Sequence, residues 1–338
     1  MKNFKLLFPL SLMVILLLGF SSCSKEDLSP NTVETVEFRD RGNTSTNIGS
    51  GNTIVDIAIG NPDFSILVEA VVKADLVGVL SSDGPFTVFA PTNSAFVALL
   101  SDLGLSSLDD VPVDVLTTIL STHVLSCEFT SGDLSTGYFN TVANGPGNNP
   151  TDLFINTTSG VSINGSVNVI AADVDASNGV IHVIDKVIQP SDIVTLAASN
   201  PAFSSLVAAL TRPDLSIDFI GALNSGGPFT VLAPTNEAFQ NLLDSNPAWN
   251  SLNDIPAAVL EAVLSYHVTA DGNITSSFFF RRPVVNTLLP GSTYTSAISF
   301  NGGLSLEIVA GSNTATVVAA DVQAQNGVVH AIDTVILP

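Results

Sequence analysis

The sequence predicts an α+β protein made of two tandem copies of one unit. The stretch GPFTVFAPTNSAF at 84–96 returns as GPFTVLAPTNEAF at 227–239, and AADVDASNGVIHVIDKVIQP at 171–190 returns as AADVQAQNGVVHAIDTVILP at 319–338. Repetition at this distance indicates a duplicated folding unit. Helical spacing dominates the first half of each copy, and Val/Ile-rich stretches dominate the second half. This order is typical of helices packed on a small sheet.

The repeats divide the chain into four segments. Residues 1–22 are predicted to be a signal segment, 23–51 a flexible tether, 52–190 the first unit and 191–338 the second unit. The tether is rich in Ser, Thr, Asn and Gly and has no sustained apolar period, which is typical of a flexible linker. Each unit has about 140 residues, which is enough for an independent hydrophobic core.

The first 22 residues have the pattern of an export signal. Lys2 and Lys5 precede the apolar stretch LLFPLSLMVILLLGF, and Ser21-Ser22 come directly before Cys23. This arrangement resembles a bacterial lipobox, which implies cleavage before Cys23 and lipidation of its thiol. The following CSKED resembles a signal for the outer face of the outer membrane. The alternative is an ordinary secretory peptide with a chance cysteine.

Each unit is predicted to open with two helices separated by a strand. Asn61-Pro62 and Asn200-Pro201 combine a cap with Pro at the first helical position. Apolar residues follow at the spacing of one helix face. The first strand is predicted at Phe86–Ala90, ended by Pro91. The next helix begins with a cap that is either Thr92 or Asn93 in the first unit, and either Thr235 or Asn236 in the second.

The second half of each unit is predicted to be a sheet. A helix with apolar residues at i, i+3, i+4 and i+7 precedes it and ends at His123 or His267. Strands are predicted within 153–165 and 304–321. Asn-Gly pairs at 178–179 and 326–327 predict tight turns between the last two strands of each unit.

The two repeated segments resemble the signature segments of fasciclin (FAS1) domains. That family carries a Tyr-His pair between them, which is matched by Tyr266-His267, whereas the first unit has Thr122-His123. The resemblance covers two tandem copies. It implies that each unit is a compact β-sandwich-like wedge with flanking helices, and that the protein binds other proteins or carbohydrate at cell surfaces or in the extracellular matrix.

The four histidines are predicted to be structural. His123 and His267 continue the apolar face of a helix, and His182 and His330 share strand parity with apolar neighbours. A histidine in such a position bonds a buried backbone group. No His-x-x-x-His or His-Glu-x-x-His spacing accompanies them, so we expect neither a metal nor a cofactor.

The family resemblance implies two sets of adhesion contacts. The first is Tyr266-His267. The second is the pair Asp173-Val174 with its repeat Asp321-Val322, which match an Asp-Ile pair of the family. The alternatives are that Tyr266 packs inside the fold with its hydroxyl bonded locally, and that the two aspartates bond backbone amides beside the Asn-Gly turns.

The charge balance and the motifs that are absent argue against two classes of function, nucleic-acid binding and catalysis. The chain has 10 Lys+Arg against 31 Asp+Glu, which excludes the basic footprint that nucleic-acid binding needs. Gly-x-Ser-x-Gly and phosphate-cradling glycine loops are absent, so we do not expect an enzyme.

The sequence therefore predicts an adhesin-like lipoprotein exposed at the surface of the outer membrane. It is expected to bind extracellular protein or polysaccharide through both units. Its oligomeric state is open. Three alternatives remain: carbohydrate capture for an uptake system through Trp249, Phe278 or Tyr294, a hydrolase with spatially assembled carboxylates, and a purely structural spacer.

Overall fold

The computed structural model describes residues 52–279, 284–299 and 305–338. The predicted signal segment, the tether and the lipidation site at Cys23 lie outside the described residues. Gly49–Pro338 forms one compact unit of the chain. The helices and strands within it repeat in the same order in both halves, as the sequence predicts.

The described helices and strands have the following bounds. The helices are α1 Ile54–Gly60, α2 Ser65–Lys73, α3 Val77–Leu80, α4 Asn93–Asp102, α5 Val113–Thr122, α6 Ile193–Ser199, α7 Ser204–Leu210, α8 Phe219–Asn224, α9 Asn236–Asp244, α10 Ala257–Tyr266 and α11 Ser276–Phe279. The strands are β1 Phe86–Pro91, β2 Val124–Leu125, β3 Gly137–Asn144, β4 Pro150–Asn156, β5 Ser162–Ile163, β6 Val167–Ala176, β7 Gly179–Ile184, β8 Phe229–Pro234, β9 Val268–Thr269, β10 Val284–Asn286, β11 Thr293–Ser299, β12 Ser305–Val309, β13 Thr314–Ala324 and β14 Gly327–Ile332.

Each unit has a seven-stranded sheet of the same topology. The strand order is β2-β1-β7-β6-β5-β4-β3 in the first unit and β10-β11-β12-β13-β14-β8-β9, which is the same arrangement written from the other edge, in the second. The strands β1 and β7 pair in parallel, as do β8 and β14, and the other pairings are antiparallel. The two repeated sequence segments therefore meet at the centre of each sheet.

The central strands are buried on both faces. In β1, Val88 belongs to a core formed with the helices, whereas its neighbour Phe89 belongs to a second core formed among the strands. The second unit repeats this with Val231 and Leu232. Helices thus cover one face of the central strands. The outer strands of the same sheet pack against the other face. This is the α+β wedge that the resemblance implies.

The structure decides which residue caps each long helix. The Thr92 side chain accepts from the Ala95 N–H at 3.4 Å, and Thr235 accepts from Ala238 N–H at 3.2 Å. The next residue, Asn93, makes a contact with another helix. Its Oδ1 accepts from Ile66 N–H at 2.9 Å, which connects α4 to the start of α2. Asn236 repeats the contact. The caps are therefore the threonines, and the asparagines join two helices.

The Asn-Gly turns also join distant parts of the fold. The Asn178 side chain accepts from Ile54 N–H at 2.9 Å and donates to the carbonyls of Leu80 and Ser82, both at 2.8 Å. Asn326 makes the matching bonds to Ile193 N–H and to the Leu223 carbonyl. Each turn therefore satisfies backbone groups at the ends of two helices that would otherwise be unpaired.

The Asn-Pro starts differ slightly from the prediction. Residues Pro62–Phe64 and Pro201–Phe203 form 3-10 turns, and regular α-helix begins at the next residue. In the described part of the chain, no single helix is long and apolar enough to cross a membrane. Ile193–Ser199 and Pro201–Leu210 reach that length only together, across a bend of 102°.

Candidate functional site

Tyr266 lies inside the second unit and does not reach the surface. Its hydroxyl donates to the Thr293 carbonyl at 2.7 Å and accepts from Gly311 N–H at 3.1 Å. Its ring packs edge-on against Tyr294 at a centroid distance of 6.5 Å. The expectation of a direct adhesion contact at Tyr266 is therefore wrong for this structure. The side chain is buried, its hydroxyl is hydrogen-bonded within the fold, and its ring packs against another aromatic residue.

His267 is likewise buried, and it joins the end of α10 to the last residues of the chain. Its Nδ1–H donates to the Val263 carbonyl one helical turn earlier, at 2.7 Å, and its Nε2 accepts from Ile336 N–H at 3.1 Å. This arrangement requires the neutral ring. Burial lowers the pKa of His267 to about 4. The adhesion role expected for His267 is corrected in the same way as that of Tyr266.

His123 repeats this arrangement in the first unit. It bonds the Ile119 carbonyl at 2.7 Å and accepts from Ile188 N–H at 2.9 Å, and burial lowers its pKa to about 4. The two histidines therefore fasten the end of α5 or α10 to the last residues of their unit. Thr122 replaces Tyr266 without loss of this contact, which explains why the first unit needs no Tyr-His pair.

His182 and His330 hold the bulged strand beside each Asn-Gly turn. His182 Nδ1 accepts from Asp173 N–H at 3.3 Å, and its Nε2–H donates to the Phe129 carbonyl at 2.8 Å. His330 makes the same bonds to Asp321 and Ile274 at 3.2 and 2.8 Å. Burial lowers the pKa of His330. All four histidines are thus buried and bond backbone groups.

Asp173 and Asp321 stand at matching bends in β6 and β13. Both have positive φ, +60° and +62°, which is uncommon for aspartate. The Asp173 carboxylate accepts from the backbone and hydroxyl of Ser131 at 2.7 and 2.5 Å, and these bonds lower its pKa. Asp321 makes the same two bonds to Ser276. The carboxylates are partly exposed, and both oxygens of each carboxylate accept a bond within the fold.

The valines that follow the aspartates are not free contacts. Val174 is half-buried against the first core, and Val322 is buried. The exposed apolar residues lie just before the aspartates instead, at the same place in both units: Ile170 is 59% exposed and Val318 is 56% exposed. Register shifts in both strands turn the following alanines outward as well. Sequence parity could not reveal this, because a bulge breaks the alternation.

A groove opens beside Val318 in the second unit. Its volume is about 330 Å³, and it is lined by Ala202, Thr235, Asn236, Glu237, Val318 and Asp333. Two of the lining residues, Glu237 and Asp333, are acidic, and two, Ala202 and Val318, are apolar and exposed. No group of three His, Cys, Asp or Glu side chains that could hold a metal ion is found among the residues that the structure describes.

The aromatic residues proposed for glycan contact have different surroundings. Tyr294 is buried, and Trp249 is half-buried against the core of the second unit. Phe278 is exposed. Tyr294 is therefore wrong as a surface contact, and among these three Phe278 has the ring best placed for stacking against a sugar.

Comparison with known proteins identifies the repeated unit. The family model for the fasciclin domain matches residues 62–190 and 201–338. The chain is 49% identical to protein sll1483 of Synechocystis over 142 residues, which is 42% of this chain and 75% of that protein. It is 34% identical to the cell surface glycolipoprotein MPB83 of Mycobacterium bovis over 151 residues, 43% of this chain and 60% of that protein. A solved fasciclin domain pair from the insect cell adhesion molecule fasciclin I aligns with 80% of this chain and 95% of that chain, at 20% identity and a TM-score of 0.47.

Proposed function

The chain belongs to the fasciclin domain family, and from that premise we propose that it is an adhesin-like lipoprotein at the outer surface of the outer membrane. Its two fasciclin domains bind extracellular protein or polysaccharide together. Fasciclin domains are found in cell-adhesion proteins, and homologues are typically extracellular or at the cell surface. The observation that carries the proposal is the duplication itself, since both domains expose an apolar residue at the same bulged strand.

Two equal contacts on one chain favour avidity. When one domain has bound a repetitive target, the second binds from a high effective concentration, and linked modules can exceed single affinities by roughly 10²–10⁴-fold. The bulged strands supply a candidate contact in each domain, with Ile170 and Val318 exposed beside partly exposed carboxylates. Asp173 and Asp321 shape these bulges, so we assign them a positioning role rather than a direct contact.

Loss of the exposed apolar contact in one domain is expected to abolish avidity. We expect Val318→Asp to weaken binding of the mature chain to immobilised polysaccharides or purified matrix glycoproteins on the order of 10²-fold, because one domain then binds alone. Ile170→Asp should have a similar effect, and the double variant should not bind. The measurement is surface plasmon resonance on dense and sparse target surfaces.

Val97→Asp provides the matched control for these variants. Val97 is 58% exposed on α4 and belongs to neither bulged strand, so its replacement should leave binding unchanged. Circular dichroism checks that every variant is folded. Unchanged binding of the double variant would place the contact elsewhere, and no binding of the parent to any target would favour the spacer function.

Membrane attachment depends on Cys23 in this proposal. We expect Cys23→Ala to move the protein from the membrane fraction to the soluble fraction, because the lipid on this thiol is its anchor. Mass spectrometry of the native protein should show an acylated N-terminal cysteine. A Cys23 thiol that is free or in a disulfide would refute lipidation. Protease treatment of whole cells tests surface exposure, and a protected protein would contradict it.

Carbohydrate capture remains the second candidate because Phe278 is exposed. An exposed ring can stack on the apolar face of a sugar. Phe278→Ala should then weaken binding to one glycan class while the Val318→Asp variant retains it. The reverse pattern favours the adhesin.

A further inference from the structure

The two fasciclin domains are joined by a junction with two sides. One side is the β3–β4 hairpin of the first domain, residues 137–156, which we call the hairpin. The other side is the outer surface of α6 together with the end of β13, residues 322–324, which we call the face. The second domain therefore receives the hairpin of the first domain on its face.

A carboxylate forms the polar centre of this junction. Asp152 Oδ2 accepts from Gln323 N–H at 2.6 Å, and its Oδ1 accepts from Asn140 Nδ2–H at 2.7 Å. Both Asp152 and Gln323 are buried. The uncharged side chain of Gln323 donates to the carbonyls of Ala324 and Gly327.

An aromatic residue and a glycine complete the contact. Tyr138 packs against the core of the second domain, accepts from Asn200 Nδ2–H at 3.1 Å and donates to the Leu196 carbonyl at 3.4 Å. Gly145, at the tip of the hairpin, approaches the Ala324 carbonyl so closely that a Cβ would lie 2.7 Å from its oxygen. The hairpin therefore fits closely against the face.

The first domain carries the same face, and none of the residues that the structure describes covers it. In the repeat, Asp175 corresponds to Gln323, Ala176 to Ala324 and Ile57 to Leu196. Gln323, Ala324 and Leu196 are buried, whereas Asp175 is exposed and the other two are half-buried. Asn61 caps its turn just as Asn200 does, but its Nδ2 has no partner among the described residues, where Asn200 bonds Tyr138.

The second domain carries a counterpart hairpin, which is likewise left uncovered by the described part of the chain. The register gives the correspondence: Asn140 pairs with Asp152 in β3–β4, and Asn286 pairs with Thr293 in β10–β11. Val284, two residues before Asn286, then takes the position of Tyr138, and it is 54% exposed. Leu288, in the loop of this hairpin, is also exposed.

We propose that the β10–β11 hairpin of one copy docks on the uncovered face of the first domain in a second copy. This contact continues the junction between the two domains from one molecule to the next. It places Val284 against the apolar surface beside Ile57 and Thr293 opposite Asp175. The partner is a second copy of this chain.

The charges are compatible with this pairing and incompatible with the nearest alternative. Within the chain, the hairpin carboxylate of Asp152 accepts from the backbone N–H of Gln323, a residue whose side chain is uncharged. The contact between copies exchanges these roles, because the neutral Thr293 meets the carboxylate of Asp175 and can donate to it. A hairpin carrying Asp152 would instead bring two carboxylates together, which is destabilising in a buried contact. The face of the first domain therefore selects the second-domain hairpin.

The geometry of this contact is head to tail. The two surfaces involved are different, so the contact is heterologous and does not close on itself in a dimer. A copy that binds through its hairpin still offers its face to another copy. Chains of molecules, rather than a single dimer, are the expected product. The net charge of −21 opposes association, so added salt should promote it by screening the repulsion.

A complementation experiment tests this contact. We would use residues 24–338, which include the compact unit Gly49–Pro338, in sedimentation velocity over a concentration series. Asp175→Arg disables the face and leaves the hairpin intact, whereas Val284→Asp disables the hairpin and leaves the face intact. Both substituted side chains are exposed, so both variants should fold.

The expected results are specific to a heterologous contact. The parent should form species larger than dimers as its concentration rises, and each variant alone should remain monomeric. An equimolar mixture of the two variants should form a 1:1 dimer and nothing larger, because one intact hairpin and one intact face remain. Val97→Asp should associate like the parent. A parent that stays monomeric at high salt, or a mixture that stays monomeric, would overturn the proposal.

Discussion

Replacing Gly327 with alanine is expected to destabilise the second domain by at least about 4 kcal/mol, a range reached only by a few severe mechanisms. Gly327 has a φ of +151°, and a Cβ at this position would lie 2.7 Å from the Phe229 amide nitrogen and even closer to its carbonyl oxygen. These are backbone atoms of the neighbouring strand β8, paired in register with Gly327. They cannot move aside without breaking the central parallel pair of the sheet.

Gly272→Ala is the matched control for this variant. Gly272 has a comparable φ of +126°, but a Cβ there would meet nothing within 4 Å. Its replacement should cost only backbone strain, about 1–3 kcal/mol. Urea unfolding with domain-specific probes measures the difference. Equal effects of the two substitutions would show that backbone conformation, rather than the approach of β8, requires glycine at position 327.

Acidification from pH 7 to pH 4 is expected to destabilise the protein through its buried histidines. His123 and His267 have pKa values of about 4 in the folded protein, against 6.5 for an ordinary histidine. The unfolded chain therefore binds more protons between these values, so stability falls as the pH falls from 6.5 to 4. At 1.36 kcal/mol per pKa unit, the expected loss is about 3 kcal/mol for each histidine.

Asp152 acts in the opposite direction. Burial raises its pKa to about 7, although the bonds from Gln323 and Asn140 favour the ionised form. The protonated carboxyl therefore stabilises the folded protein at low pH, and this stabilisation is lost as the pH rises from 3.8 to 7. Acidification restores it. The two histidines together outweigh the single aspartate. The lowered pKa of Asp173 adds to the acid loss, since its bonds to Ser131 need the carboxylate.

Two variants separate these contributions. His267→Gln should be less stable than the parent at pH 7 and should lose less stability between pH 7 and pH 4. Asp152→Asn should lose more than the parent over the same range, because the compensating group is gone. Urea unfolding at several pH values provides the slopes. A His267→Gln variant with the slope of the parent would show that this ring does not titrate on unfolding.

Local sequence patterns predicted the elements well and the roles of some residues poorly. The spacing of apolar residues located the helices that end at His123 and His267, and the coreward direction of both rings. Resemblance alone pointed to Tyr266 as an adhesion contact, but its burial depends on Thr293 and Gly311, which lie 27 and 45 residues further along. No local pattern records a partner at that distance.

The sequence by itself determined the duplication, the order of helices and strands, and the strand-turn-strand at each Asn-Gly pair, because these depend on short-range periodicity and turn chemistry. Tertiary structure decided which residues reach the surface. Bulges in β6 and β13 expose Ile170 and Val318, and the docking of one domain on the other buries Gln323 while its counterpart Asp175 stays exposed. The physical reason is that exposure is a property of neighbours in space. Two nearly identical segments differ in their exposure to solvent when another part of the fold packs on only one of them.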